Sequence, residues 1–129
     1  MNEIFSYENL LINLIQSLIG VFISIALIQS SIDKLIDRKG NLEWLSDHFS
    51  DTILRNFVPL VLLIITITEL FSGLLLLSGA FINILFSNFD LLIIGFFLSA
   101  INFILLFFGQ RIAKDYAGAA VIVNYFILN

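Results

Sequence analysis

The sequence predicts an all-α integral membrane protein, an antiparallel four-helix bundle with a short amphipathic interfacial helix between helices one and two. Three observations predict it. Of 129 residues, 60% are hydrophobic and only 12% charged, with a mean hydropathy of +1.05. That is about half the charge a soluble domain uses to coat its surface, so lipid must serve as part of the solvent. The apolar residues come in continuous runs of membrane-spanning length rather than in the alternation of outer-membrane barrel strands. Inside a bilayer the backbone must then satisfy its own hydrogen bonds, which leaves the helix.

The runs lie at about 10–30, 57–82, 91–108 and 111–128, within a single transmembrane domain covering 1–129. The first is broken only by uncharged polar residues, the second holds one ionisable residue, Glu69, and the third holds none. The fourth opens on charge and needs Arg111 and Lys114 to snorkel to the interface. Met1-Asn2-Glu3 lacks the basic n-region of a signal peptide, so the first run is expected to persist as a helix. Gly40 is expected to stop helix one. Leu42, Leu45, Phe49 and Ile53 then recur at helical spacing among polar residues, predicting an interfacial helix over about 41–54. Pro59 suits the first turn of helix two, and tight turns are expected at 83–90 and 109–114.

The six basic residues sit in two places: Lys34, Arg38, Lys39 and Arg55 between helices one and two, and Arg111 and Lys114 between three and four. In a four-helix chain these connections share one side. The positive-inside rule makes it the cytoplasm, with both termini expected outside.

Small and polar residues mark helix contacts where lipid offers no hydrophobic drive. The stripes are Ser17, Gly20 and Ser24; Thr66, Glu69, Ser72 and Gly73; Gly95, Ser99 and Asn102; and Gly109, Ala113, Ala117 and Ala120. Four stripes are expected to close one bundle.

The absence of cysteine removes thiol chemistry, disulfides and thiolate metal sites, and a single histidine, His48, leaves no bis-histidine haem and reads as a surface residue. No basic stripe with interleaved aromatics suggests nucleic acid. No nucleophile triad, phosphate loop or metal-ligand cluster is present, so catalytic and metal-binding residues are not assigned. The chemistry that remains centres on Glu69, a carboxyl near mid-bilayer that must face the bundle and be protonated or paired. Asn102, at similar depth, is its expected partner. Two readings stand: a proton-handling or headgroup-binding acid, or an acid hydrogen-bonded for packing. Arg111 and Asp115 have the i, i+4 spacing of a pair, with Tyr116 about two turns into the membrane; an interface anchor is the simpler reading. Asp33, Lys34, Asp37 and Arg38 lie on the same side and are able to meet that group, or are only a solvated helix end.

Lys34-Leu35 after helix one, Glu69-Leu70-Phe71-Ser72-Gly73-Leu74-Leu75-Leu76 in helix two, and the segment Gln110 to Ala119 ending Asp115-Tyr116-Ala117-Gly118-Ala119 occur in that order. In these the chain resembles the DoxX-like family of small bacterial four-helix membrane proteins. The resemblance implies a quinone-linked setting, with Lys34, Glu69, Arg111, Asp115 and Tyr116 lining the cytoplasmic half of the bundle. The expected role is an accessory subunit of a larger membrane assembly. No intrinsic cofactor is expected beyond a bound quinone or lipid. The expected partners are membrane lipid and either another membrane protein or further copies of the chain. The alternatives are a structural or assembly protein without chemistry of its own, and a small transporter or proton-conducting oligomer.

Overall fold

The computed structural model describes residues 2–129, with side chains from Tyr7 onward. The described residues form five α-helices: α1 (Asn2–Ile36), α2 (Arg38–His48), α3 (Val58–Phe86), α4 (Asp90–Ile112) and α5 (Tyr116–Leu128). A single 3-10 turn, Arg55–Phe57, leads into α3. Three stretches are long and apolar enough to cross a membrane: Tyr7–Ile36, Arg55–Phe86 and Asp90–Ile112. The fourth expected span is instead α5, of 13 residues. At the helical rise it is about 20 Å long, short of the ~30 Å hydrocarbon core.

The helices alternate in direction. Asn83 of α3 reaches Ser17 of α1, while Glu69 reaches Lys34, so α1 and α3 run antiparallel. Asn102 of α4 reaches Thr68, and Gly79 lies on Leu92, so α4 reverses again. Tyr125 of α5 stacks on Phe103, and Asn129 bonds to Ser99, which returns α5 along α4. Helix α3 is central, between α1 and α4, and α5 lies on α4. The core is Ile23, Leu27, Leu76, Ala80, Leu92 and Phe103.

The small-residue stripes explain the close approaches. Ser17, Gly20 and Ser24, then Thr66, Glu69, Ser72 and Gly73, then Gly95, Ser99 and Asn102 are all buried. A Cβ at Gly79 would stand 2.6 Å from the backbone nitrogen of Leu92, so only glycine lets the α3 and α4 backbones meet there. The stripe expected on the last helix is not buried. Gly109 and Ala113 are half-buried, Ala117 and Ala120 are exposed, and the alanine that α5 buries is the neighbouring Ala119. The contacts of α5 are aromatic instead: Tyr125 stacks on Phe103 at 5.9 Å and on Phe22 of α1 at 6.5 Å.

Two breaks fall elsewhere than the glycines suggest, and for one shared reason. Gly40 does not end α1; it lies in the first turn of α2, and no described glycine has positive φ. The chain bends at Asp37, whose carboxylate accepts the Gly40 N–H at 3.1 Å. Gly109 likewise stays inside α4. The reversal comes at Lys114, with φ 60, and Asp115 accepts the Gly118 N–H at 3.0 Å. Both are Asp-x-x-Gly N-caps, in which the aspartate satisfies an orphan N–H of the first helical turn. A Cβ on either glycine would collide with the capping carboxyl.

The interfacial helix expected over 41–54 is shorter and earlier, at Arg38–His48. Ser50 and Thr52 donate their hydroxyls to the carbonyls of Asp47 and Phe49, at 2.9 and 2.8 Å. Such local bonds compete with a helical ladder and end α2. Pro59 stands in the first turn of α3 as expected. The following turn is confined to 87–89, with Ser87 in the left-handed region at φ 52.

Candidate functional site

The buried carboxyl is paired, and its partner is a lysine. Lys34 and Ser30 are four residues apart and share one face of α1. The Lys34 ammonium lies 3.0 Å from Glu69 Oε2, 3.3 Å from Oε1 and 2.6 Å from Ser30 Oγ. Ser30 Oγ donates in turn to Glu69 Oε1 at 3.3 Å. Glu69 is 2% exposed, against 18% for the Lys34 side chain. The three side chains form a closed electrostatic tie between α1 and α3. Ions this far from water lose their hydration, and only mutual pairing with further hydrogen bonds restores it. The lysine stem reaches inward from two residues before the end of α1 while the carboxylate stays buried.

Asn102 is not part of this tie. Its amide donates to Thr68 Oγ1 at 2.8 Å, and its own Oδ1 is buried without a partner. The reason is rotational. Successive helical residues are about 100° apart, so Thr68 faces α4 while Glu69 faces α1. Thr68 also donates to the carbonyl of Ile64 at 2.9 Å.

The basic segment at the α4–α5 turn is a second and separate group. Among the described residues Arg111 and Asp115 form no ion pair. Asp115 is turned to its capping bond. The Arg111 guanidinium sits over the Tyr116 ring, 4.7 Å from its centroid, a cation–π contact. Tyr116 is the first residue of α5 and more than half exposed. The candidate residues thus fall into three places: Lys34 with Glu69, Asn102 with Thr68, and Arg111 with Tyr116 and Asp115.

His48 is not a free surface residue. Its Nε2 lies 2.9 Å from Gln110 Oε1 and 3.7 Å from Asp115 Oδ2. Its ring stacks on Trp44 at 4.5 Å and meets the edge of Phe49 at 5.1 Å. This joins α2 to the α4–α5 turn, so the two basic connections sit at the same end of the molecule. Asp33 and Arg38 take no part in the contact.

Sequence reasoning also missed Asn83. It is fully buried and donates to the Asn13 carbonyl at 3.1 Å and to Ser17 Oγ at 3.0 Å, tying α1 to α3 at the opposite end. Its signal was its place four residues after Gly79 on the buried face. At Glu69 both carboxylate oxygens are engaged, Oε1 by Lys34 and Ser30 and Oε2 by Lys34.

Fold and site define a class: an all-helical protein with three apolar helices long enough to span a membrane, tied to one another by buried polar bonds. Comparison with protein-family models, with curated proteins and with solved structures finds no match to the chain.

Proposed function

We propose that this chain is a DoxX-like integral protein of a bacterial cytoplasmic membrane, acting as an accessory subunit of a larger membrane assembly rather than as a catalyst. In this reading α1, α3 and α4 span the bilayer and α5 re-enters along α4 as a fourth, incomplete helix. The positive-inside rule supports placing α2 and the α4–α5 turn at the cytoplasm, because both basic connections meet there through His48 and Gln110. The start of α1 then faces outward.

The observation that carries the subunit role is Asn124. It is exposed on the outer face of an otherwise apolar helix, about 12 Å along α5 from Tyr116 by the helical rise. Exposed Ala117 and Ala120 lie on the same face, at i−7 and i−4. A primary amide turned toward lipid has no hydrogen-bond partner, and small neighbours let another helix approach closely enough to supply one. A shared helix surface follows, with another membrane protein as its occupant. The closed Lys34–Glu69–Ser30 tie supports the same view, since its groups are spent on holding helices rather than left open to a reactant.

The test is gentle purification from native membranes followed by mass spectrometry, in the wild type and in Asn124→Leu and Ala120→Phe. A stoichiometric membrane partner that both variants lose supports the subunit reading. A wild-type chain that runs alone, or only with its own copies, overturns it.

A further inference from the structure

The seam between α1 and α5 is open. Helix α5 lies on α4 and meets α1 through the Tyr125–Phe22 stack, at 6.5 Å. Beside that stack runs a cleft of about 440 Å³, within the ~300–1,000 Å³ of small-molecule sites. One face of α1 forms its floor and Tyr125 its far side. The floor is graded. Phe22, Ile25 and Ala26 make one part apolar, and Gln29, Ser30 and Asp33 make the part nearest the end of α1 polar. From Phe22 to Asp33 the floor is about 16 Å long by the helical rise, half of the ~30 Å hydrocarbon core. Ser30 is committed to the Lys34–Glu69 tie. Gln29 and Asp33 are exposed, and among the described residues neither the Gln29 amide nor the Asp33 carboxylate has a hydrogen-bond or ion-pair partner. The bonds Asp33 accepts go to its backbone carbonyl, from the Asn41 amide and the Asp37 N–H.

We infer that this cleft binds one phospholipid of the adjoining leaflet through a primary ammonium head, with the ammonium on Asp33 and Gln29 and one acyl chain along Ile25, Phe22 and Tyr125. Charge selects the head. The Lys34–Glu69 pair alongside is neutral in sum, so Asp33 leaves the cleft one unbalanced negative charge. That charge draws a cation and repels an anionic head. A primary ammonium has three N–H donors, and the Asp33 carboxylate and the Gln29 side-chain carbonyl are acceptors for them. Depth selects a lipid over a helix. A partner's spanning helix needs a contact surface through the whole hydrocarbon core, whereas this cleft runs through one leaflet. It is polar at headgroup level and apolar within, as a phospholipid is. The cleft shares no residue with the Asn124 face. The inference rests on the membrane reading and not on the subunit reading, because the cleft is complete within one chain.

The full chain is incorporated into nanodiscs holding equal amounts of an ethanolamine-headed and a glycerol-headed phospholipid with identical acyl chains. Native mass spectrometry then counts the lipid that stays on each chain. The expected result is one retained lipid per chain, with the ethanolamine head preferred about fivefold, the worth of one partly exposed ion pair. Asp33→Asn keeps the shape of the side chain and removes its charge, so it should retain one lipid with no preference between heads. Asp47→Asn, on α2 and outside the cleft, should keep the preference. Ala26→Phe fills the apolar part and should lose the lipid with either head. Equal retention of both heads by the wild type, or a preference that Asp33→Asn leaves intact, overturns the proposal. A lipid count that Ala26→Phe does not lower is ordinary boundary lipid and overturns it too. A lipid-free wild-type dimer that Ala26→Phe separates puts a second copy in the cleft and rejects the lipid. Should Ala26→Phe fail to fold, Asp33→Asn decides alone. A chain that never enters the nanodisc fails the membrane reading and this inference with it, whereas a chain that enters without head selectivity fails this inference only.

Discussion

Lys34 Nζ stands 3.0 Å from Glu69 Oε2, joining residues 35 apart in sequence across α1 and α3. Breaking such a pair from one side leaves an uncompensated charge out of water. Lys34→Ala should therefore destabilise the protein by about 3–5 kcal/mol. Replacing both, as Lys34→Met with Glu69→Leu, should recover most of that loss, because well-packed apolar groups substitute for a buried pair at little net cost. Glu69→Gln, which keeps the hydrogen-bonding shape, should fall between. Unfolding in a mild detergent, followed by helicity, measures all three. A double variant no better than Lys34→Ala would show that the pair does more than hold helices.

The two Asp-x-x-Gly caps give a second expectation. Asp37→Ala and Asp115→Ala each remove the acceptor for a first-turn N–H, costing about 0.5–2 kcal/mol. The effects should be local. Amide exchange should quicken in the first turn of α2 for one variant and of α5 for the other, with the Lys34–Glu69 region unchanged. Exchange that quickens throughout α1 and α3 would contradict independent caps.

These caps also show what the sequence could and could not convey. The buried stripes of α1, α3 and α4 were legible, because small and polar residues at helical spacing in an apolar run have few other uses. Glu69 announced itself as the one ionisable residue in its run. Its partner did not, because Asn102 is right in depth and wrong in rotation: one residue along α3 turns the facing helix from α1 to α4. Gly40 and Gly109 misled as helix breakers, since the aspartate three residues before Gly40 and Gly118 sets each boundary. The length of α5 was hidden because α4 keeps Gly109 to Ile112, residues that composition alone assigns equally well to the next helix.

Gly79 provides a test of the α3–α4 contact. Gly79→Ala would place a Cβ against the Leu92 backbone, which has no flexible end to move aside. Overpacking of this kind costs about 1–3 kcal/mol. Ala100→Leu on α4, at a half-buried position, is the comparison and should cost less. Thermal melts of the two variants in one detergent decide the order, and a Gly79→Ala protein as stable as wild type would mean that the helices meet less closely.

Asn83 and Asn102 are both fully buried amides with an unpartnered Oδ1, yet they should respond differently to removal. Asn83 donates to two groups on α1, the Asn13 carbonyl and the Ser17 hydroxyl. Asn102 donates to the Thr68 hydroxyl alone, and that hydroxyl already has the Ile64 carbonyl as its own acceptor. Removing Asn102 also removes an orphaned acceptor that apolar surroundings disfavour. Asn102→Leu should therefore change stability by no more than about 1 kcal/mol, since interhelical hydrogen bonds in membranes average about 0.6 kcal/mol. Asn83→Leu should cost more, because two bonds between helices are lost at once. Measured unfolding that reverses this order would mean that Asn102 Oδ1 has a partner in the membrane, a water or a ligand donor, and would make Asn102 rather than Glu69 the polar group to follow.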